Sequence, residues 1–196
     1  MRGAVRIVMA SRNQHKVREL ARVLAPHVLD PLPESVALPP EDGATFADNA
    51  LLKARAVAAA TGGPALADDS GIAVEALGGA PGVWSARFAG KDATDEQNLH
   101  KLLAEMRGSA DRRAAYVCVL ALVGADGSER LFEGRCEGRL AAAPRGTGGF
   151  GYDPAFIPDD LDGPERTMAE LEPAEKDAIS HRGRAARALA RALRAT

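Results

Sequence analysis

Two short polar stretches carry residue types that suit phosphate and metal chemistry. In the first, "SRNQHK", Ser11, Asn13 and Lys16 lie between an apolar run and an amphipathic pattern. A strand followed by a polar turn and a helix start offers free backbone N–H groups, which bind anions such as phosphates. The stretch is not a Walker motif, because the glycines are absent. The alternative is that Ser11 or Asn13 only caps the helix while Lys16 is solvated.

Adjacent carboxylates mark the second stretch, "ADDSG", where Asp68 and Asp69 are followed by Ser70. Paired carboxylates favour Mg²⁺, a hard cation that takes oxygen ligands and is bound together with substrate phosphates. One carboxylate could also accept a proton from an attacking water. Glu41 and Asp42, in "PPEDGATF", could complete a metal site. The alternative is an acidic turn that ends in Ser70 and a glycine.

Glycines and aromatic residues crowd a third stretch, "GTGGFGYDPAFIPD", at residues 146–159. Such a composition suits a phosphate cradle, a base-binding shelf, or a hairpin corner filled with aromatic rings. Phe150, Tyr152 and Phe156 could stack on a base, and such stacking is worth about 1–3 kcal/mol per ring. Filling of the core is the competing explanation for at least one ring.

Basic residues near the C-terminus could contact an anion or a purine edge. Lys176, His181 and Arg182 lie in "KDAISHRG", where Ser180 can cap a last helix. A lone His or Arg on a helix is more often solvated, which is the alternative here. Lys53, in "NALLKARAV", is by default a surface residue of its helix.

The elements that must position these residues alternate between strand and helix in the first part of the chain. The apolar, β-branched run "VRIVMA" predicts a buried strand. Helical spacing is found in "SRNQHKVRELARVLAP", which Pro26 ends, and in "TFADNALLKARAVAAATGG", which Thr45 or Asp48 can cap. Residues 30–43 are rich in proline and acids, and this predicts an irregular connection.

The remainder of the chain predicts a meander of strands between helices. A short strand, an acidic turn and a further strand or turn are predicted for "PALADDSGIAVEAL", and a loop for "GGAPGVWSARFAG". A helix in "DATDEQNLHKLLAEMRG" precedes two or three strands with a hairpin turn at Asp126 and Gly127. This order indicates an α/β fold with a mixed sheet flanked by helices. No repeat or linker divides the chain, so residues 1–196 are predicted to be one domain.

Composition argues against several classes of function. The net charge of −2 disfavours broad nucleic-acid binding. No apolar run reaches the roughly 18 residues of a membrane span, and the N-terminal apolar run is too short for a signal-peptide core. Cys118 and Cys136 have neither disulfide-framework nor metal-ligand spacing, and Cys118 is expected to be a small buried residue. We therefore expect a cytoplasmic protein with no nucleic-acid or membrane partner.

The order of the motifs matches a known family. The stretches "SRNQHK", "TFADNALLKA", "LADDSG", "GGAPGVWSAR", "GTGGFGYDP" and "KDAISHRG" together resemble the Ham1 family of inosine triphosphate pyrophosphatases, over residues 5 to about 192. The resemblance implies an elongated α/β fold (ITPase-like, the Maf/Ham1 fold) of two lobes with an active-site cleft between them, usually as a homodimer. It also implies hydrolysis of purine nucleoside triphosphates, namely ITP, dITP and XTP, to the monophosphate and pyrophosphate, which removes deaminated purines from the nucleotide pool.

Residue roles follow from the resemblance position by position. The matches to substrate contacts on the phosphate side are Ser11, Asn13, Lys16, Lys53 and Ser70. The nucleoside and base pocket is matched by Phe150, Gly151, Tyr152, Asp153, Lys176, His181 and Arg182. Glu41 and Asp69 match the Mg²⁺ ligands, with Asp69 also the candidate catalytic base and Asp68 its neighbour. The third stretch thereby becomes a nucleoside shelf, with Phe150 as the stacking face.

Two features depart from the family pattern. Arg12 stands where many relatives have glycine, and its charge either touches the phosphates of the substrate or points outward. The segment 157–168 is longer and more charged than usual.

The resulting hypothesis is a metal-dependent pyrophosphatase. Water activated by Asp69 or Asp68 attacks the α-phosphorus in line, with Mg²⁺ held by Glu41 and Asp69. Lys16 and Lys53 stabilise the phosphate oxygens. Two alternatives stay open: a Maf-like pyrophosphatase of different base specificity, and a nucleotide-binding sensor without turnover.

Overall fold

Strands and helices alternate from the start of the chain, as predicted. The computed structural model describes residues 3–195. The strands are β1 (Arg6–Met9), β2 (Val28–Asp30), β3 (Ala65–Val74), β4 (Arg113–Val123), β5 (Glu129–Leu140) and β6 (Phe156–Pro158). The α-helices are α1 (Gln14–Leu24), α2 (Phe46–Thr61), α3 (Asp95–Glu105), α4 (Pro173–Ile179) and α5 (His181–Ala195).

The strands form one 6-stranded sheet in the order β2-β1-β3-β4-β5-β6. β1 pairs in parallel with β2 and β3, whereas β5 and β6 are antiparallel. Parallel neighbours need crossover connections, and α1 and α2 provide them. The turn between β4 and β5 contains Gly127 with a φ of 79°, which a glycine adopts without strain. The predicted α/β fold with a mixed sheet flanked by helices is confirmed.

Side-chain caps fix where the first two helices begin. Asn13 caps α1 by accepting from the backbone N–H groups of His15 and Lys16 at 3.0 and 3.2 Å. Thr45 and Asp48 form a capping box at the start of α2. Residues four apart share one face of a helix, so Asn49 and Lys53 project from α2 on the same side.

The chain divides into two compact units. The first contains the residues up to Asp69, Cys118–Gly134 and the residues from Arg182 onward; the second contains Ser70–Val117 and Arg135–His181. The predicted single domain over residues 1–196, and the cleft between lobes, stay predictions.

Two apolar layers cover the strands of the first unit. One layer contains Leu66 and Cys118 and packs against α1 and α5, and the other contains Ala67 and Val119 and packs against α2. The layers arise because successive side chains of a strand point to opposite faces of the sheet.

The second unit has its own core, which brings together residues of β3, β4, β5, β6 and α3. Its largest buried members include Ile72, Leu102, Met106, Leu140 and Phe156. No helix among residues 3–195 combines the length and the apolar character that crossing a bilayer requires.

The largest correction to the predicted elements concerns the two adjacent aspartates. β3 runs through Asp68 and Asp69 as one strand of 10 residues, where the sequence predicts an acidic turn. The turn prediction was wrong because both carboxylates are paired with cations from distant segments, so they tolerate burial within a strand. The short strands β2 and β6 and the helix α4 were not predicted, and a 3-10 helix, Gly82–Arg87, lies in the expected loop.

Candidate active site

Asp68 and Asp69 point away from each other. The side chain of Asp68 contacts Lys16 of α1 and Arg182 of α5, whereas the side chain of Asp69 contacts Asn49 and Lys53 of α2. This follows from strand geometry, because neighbouring residues of β3 face opposite sides of the sheet. The adjacent aspartates are therefore not one pair of metal ligands but members of two separate clusters.

The cluster on the α2 side joins two carboxylates through one ammonium group. Lys53 Nζ lies 3.5 Å from Asp69 Oδ1, pairs with Glu41 Oε1, and donates to the backbone carbonyl of Asp68 at 2.8 Å. Asn49 Nδ2 donates to Asp69 Oδ2 at 3.1 Å. The default expectation for Lys53, a surface position, was wrong, since the residue is only 5% exposed.

A single positive charge does not balance both carboxylates of this cluster. Burial would lower the pKa of Lys53, but the charges of Asp69 and Glu41 outweigh it and raise the pKa, so the ammonium stays protonated. Burial raises the pKa of Asp69, and the opposing charge of Lys53 does not cancel that rise. Asp69 is thus a buried carboxylate whose negative charge is only partly compensated by its neighbours.

The donor set at Asp69 and Glu41 fits a hard divalent cation. Among residues 3–195, no three His, Cys, Asp or Glu side chains are grouped so as to hold a metal ion, so two carboxylates are what this cluster offers. Mg²⁺ is commonly held by one or two carboxylates together with substrate phosphates, which suits such a sparse set. The positive charge of such a cation would also stabilise the ionised carboxylate of Asp69.

The cluster on the other face is a buried ion-pair network centred on Asp68. Lys16 Nζ lies 2.5 Å from Asp68 Oδ1, and Arg182 Nε donates to Asp68 Oδ2 at 2.8 Å. The thiol of Cys118 donates to the same Oδ2 at 3.2 Å. Arg182 Nη1 in turn donates to Glu19 Oε2 at 2.7 Å.

Ion pairing keeps Asp68 ionised despite its burial. Burial would raise the pKa of Asp68, but the charges of Arg182 and Lys16 outweigh it and hold the pKa well below its usual range. Burial, together with the negative charge of Asp68, raises the pKa of the Cys118 thiol. The thiol is therefore a protonated donor rather than a nucleophile, in keeping with its predicted burial.

The turn before α1 uses part of its polar groups for its own structure. Ser11 Oγ accepts from the backbone N–H of Asn13 at 3.1 Å, and Asn13 caps the helix. Lys16 is not solvated, since it is paired with Asp68. Arg12 Nη2 donates to the carbonyl of Val36 at 3.0 Å, so this guanidinium anchors the irregular segment that leads to Glu41.

In the second unit, Asp153 fixes the glycine-rich turn. Its Oδ2 accepts from the backbone N–H of Phe150 at 2.8 Å and from Lys176 Nζ at 2.6 Å, and its Oδ1 accepts from Tyr116 Oη at 3.2 Å. Lys176 Nζ lies 5.0 Å from the centroid of the Phe150 ring. Gly149 has a φ of 70°, and a Cβ there would collide with Asp153, so the turn requires glycine.

The other predicted nucleoside residues are also held in place. Tyr152 Oη donates to the carbonyl of Ser85 at 2.7 Å, and the backbone N–H of Gly151 donates to Asp95 at 2.8 Å. The His181 ring stacks on Tyr116 with centroids 4.5 Å apart and an interplanar angle of 7°.

Two further parts of the predicted pattern are Ser70 and the charged segment 157–168. Ser70 follows Asp69 within β3. The charged segment 157–168 is tied down by the Arg166–Glu175 pair and by the Arg139–Glu165 pair, at 2.7 and 2.5 Å.

Among the residues that contact the predicted site, sequence reasoning missed Glu19, Asn49 and Tyr116. Glu19 follows Lys16 by three positions and Asn49 precedes Lys53 by four, so helical spacing could have found both. Tyr116 lies in the apolar run of β4, where nothing in the pattern separates it from a core residue.

Comparison with known proteins supports the resemblance. The chain matches the sequence profile of the Ham1 family over residues 7–192. A dITP/XTP pyrophosphatase of Streptomyces coelicolor is 50% identical over 197 residues, covering 96% of this chain and 97% of that protein. A dITP/XTP pyrophosphatase of Frankia alni is 52% identical over 202 residues, covering 97% of this chain and 98% of that protein.

Solved structures agree with the sequence comparison. The Ham1 protein of Staphylococcus aureus has a TM-score of 0.86 at 40% identity, covering 97% of this chain and 98% of that one. A nucleoside-triphosphatase / dITP/XTP pyrophosphatase of Mycobacterium abscessus has a TM-score of 0.74 at 49% identity, covering 94% and 98%. With sequence and structure in agreement over nearly the whole length, the chain belongs to the Ham1 family.

Proposed function

We propose that this protein hydrolyses ITP, dITP and XTP to the monophosphate and pyrophosphate, and so removes deaminated purines from the nucleotide pool. The names of relatives that are 50–52% identical support the reaction class. The observation that carries the proposal is the cluster of buried Asp69 and Lys53 with the half-buried Glu41. A buried carboxylate with a raised pKa is typical of a catalytic site, and a sensor without turnover has no need of one.

Asp69 is the better candidate for the general base. A base must be able to take up a proton, and the raised pKa of Asp69 makes it a stronger proton acceptor than an ordinary aspartate. Asp68 is a poor acceptor because Arg182 and Lys16 stabilise its ionised form. Asp69 would therefore orient the attacking water and receive its proton, while Asp68 holds cations in place.

Glu41 and Asp69 are the residues that would hold Mg²⁺. When bound, Mg²⁺ would supply positive charge to the phosphate oxygens that gain negative charge during the reaction. Lys53, which already contacts both carboxylates, would stay protonated beside them and add its own charge to the phosphate site.

Lys16 and the start of α1 are assigned to the phosphates. The Asp68 carboxylate holds Lys16 Nζ at 2.5 Å, so the ammonium is oriented before substrate binds and little reorganisation is needed. Ser11 and Asn13 shape the turn that precedes the helix, and the positive end of the helix favours an anion there. Arg12 would act indirectly, through the segment that it anchors.

The nucleoside is assigned to the turn around Phe150. Its ring offers a stacking face, while Asp153 fixes the turn and holds Lys176 against that ring. Hypoxanthine and xanthine carry an O6 acceptor where adenine carries an amino donor, so a pocket of donors such as Lys176 leaves adenine mispaired. Arg182 stays a predicted base contact, although it would have to share or exchange its bonds to Asp68 and Glu19.

Product analysis tests the proposed reaction. The protein is incubated with Mg²⁺ and ITP, dITP, XTP, GTP, ATP or dUTP in parallel, and the products are separated by anion-exchange chromatography. We expect IMP and pyrophosphate from ITP, with much slower turnover of ATP and GTP. IDP with orthophosphate, or no product, would overturn the proposal, and preference for a pyrimidine or an ordinary purine nucleotide would favour the Maf-like alternative.

Phe150→Ala should raise KM for ITP more than it lowers kcat. Loss of one stacking ring corresponds to about 1–3 kcal/mol of binding, or roughly 5- to 150-fold in affinity. Phe132→Ala is the matched control, because Phe132 is also partly buried and has Arg130 5.2 Å from its ring. Steady-state kinetics on both variants decide the matter: an unchanged KM for Phe150→Ala, or an equal rise in both variants, would contradict the stacking role.

A homodimer in a cytoplasmic location, with no nucleic-acid partner, completes the proposal. The dimer follows only from the family resemblance. Light scattering on the purified protein, at several concentrations, measures its mass directly.

A further inference from the structure

A buried amide links the two predicted magnesium ligands. Asn49 is 1% exposed, and its Nδ2 donates to Asp69 Oδ2 at 3.1 Å. Its Oδ1 accepts from the backbone N–H of Gly43 at 2.8 Å. Because Gly43 lies two residues after Glu41, one side chain holds both the carboxylate of β3 and the loop that carries the second carboxylate.

The loop fits against α2 only because residue 43 is glycine. A Cβ on Gly43 would lie 2.7 Å from Asn49 Oδ1 and 2.7 Å from Asp48 Cβ. Both distances are far shorter than ordinary contacts, so any larger residue would push the loop away from the helix. The position of the Glu41 loop therefore depends on contact with the Asn49 amide at this point.

An amide suits this linking role better than the neighbouring ammonium. The amide has a donor and an acceptor in a fixed plane, so it can orient a carboxylate on one side and a backbone N–H on the other. Lys53 also contacts both carboxylates, but an ammonium on a flexible stem attracts them without fixing their orientation.

We propose that Asn49 is a positioning residue that sets the relation between Glu41 and Asp69, and thereby the affinity of this site for a divalent cation. The inference rests on the proposed function, which assigns Mg²⁺ to these two carboxylates. Residues that orient metal ligands commonly change metal affinity by about 10–100-fold when they are replaced.

The test measures Mn²⁺ binding to the protein without nucleotide, from the electron paramagnetic resonance signal of free Mn²⁺. Asn49→Ala removes both links, and Gly43→Ala displaces the loop that carries Glu41 without removing either carboxylate side chain. Asn98→Ala is the matched control: its amide is 2% exposed, accepts from the N–H of Ala89 at 2.7 Å and donates to the carbonyl of Ala86 at 3.2 Å.

We expect Asn49→Ala and Gly43→Ala each to weaken Mn²⁺ binding by at least about 10-fold, and Asn98→Ala to bind as the wild type does. In turnover, the apparent KM for Mg²⁺ should rise in the same two variants while kcat largely recovers at saturating Mg²⁺. A role of Asn49 in stability alone would lower the melting temperature without moving either metal constant.

Mn²⁺ affinity within about twofold of wild type in Asn49→Ala or in Gly43→Ala would overturn the inference. If Asn49→Ala does not fold, Gly43→Ala decides alone, since it changes only the loop side of the link. Failure of the wild type to hydrolyse ITP would remove the proposed function but leave the Mn²⁺ comparison valid. Absence of Mn²⁺ binding to the wild type without nucleotide would overturn the inference, because the two carboxylates would then not hold the cation by themselves.

Discussion

Asp69→Asn should lower kcat for ITP hydrolysis by about 10²–10⁴-fold, the contribution typical of a positioned general base. KM for ITP should change much less, because the phosphate and base contacts assigned above lie on other residues. The substitution keeps the shape of the side chain, and Asn49 can still donate to its carbonyl oxygen. Steady-state kinetics at saturating Mg²⁺ measure both constants.

Protein stability separates this loss of activity from a loss of fold. The pKa of Asp69 is raised, chiefly by burial, so its ionisation lowers the stability of the fold at a pH above that pKa. Asp69→Asn should therefore leave the melting temperature unchanged or raise it, when measured without divalent metal. Asp68→Asn should do the opposite, because the pKa of Asp68 is lowered and its ionised form stabilises the fold.

Near-normal turnover of Asp69→Asn would show that the base and metal assignments are wrong. Equal losses of kcat in the Asp68 and Asp69 variants, with both still folded, would instead show that the two aspartates act together. The opposite faces of β3 that they occupy argue against that outcome.

Much of the fold was readable from the sequence because local signals agree with tertiary packing. The cap at Thr45 and the glycine after Thr61 mark the ends of α2, and the apolar run of "VRIVMA" marks β1. β2 and β6 were missed because three residues are too few to show a period. The path of β3 was missed because two adjacent acids look like a turn unless their partners are known.

Those partners are distant in sequence, and this limits what the pattern could show about the site. Arg182 lies 114 positions from Asp68 and 163 from Glu19. Local reasoning found the residues with chemically useful side chains, but it placed Lys53 at the surface by default and left solvation of Lys16 open as an alternative. Only the fold shows that Lys16 pairs with Asp68 whereas Lys53 is shared by Glu41 and Asp69, and so separates a candidate base from a structural anion.

The division between Asp68 and Asp69 is a consequence of strand alternation. Asp68 faces the layer of α1 and α5, whereas Asp69, the next residue of β3, faces the layer of α2. On the first face, Arg182 and Lys16 hold the pKa of Asp68 low. On the second face, burial raises the pKa of Asp69, which shares Lys53 with Glu41. Environments that move two pKa values apart are a common basis for distinct acid–base roles.

Arg182→Met should lower the free energy of unfolding by about 3–5 kcal/mol, the usual loss when one partner of a buried ion pair is removed. The side chain of Asp68 is 0% exposed and that of Arg182 3%, so solvent screens this pair little. Methionine leaves Glu19 without its guanidinium partner and Asp68 with Lys16 as its cation. Denaturant unfolding of the wild type and the variant at pH 7 measures the difference.

The pH dependence of that difference follows from the lowered pKa of Asp68. Its stabilising effect is complete above the ordinary aspartate pKa of about 3.9 and is lost as the pH falls through the folded-state value. The loss of unfolding free energy in Arg182→Met should therefore be large at neutral pH and become smaller below about pH 4. Arg55→Met is the control, since its two bonds to Glu129, both 2.7 Å, lie at the surface, and its loss should change stability little. If Arg182→Met loses no more unfolding free energy than Arg55→Met does, or if its loss does not vary with pH, Asp68 is not the buried carboxylate that stabilises this network.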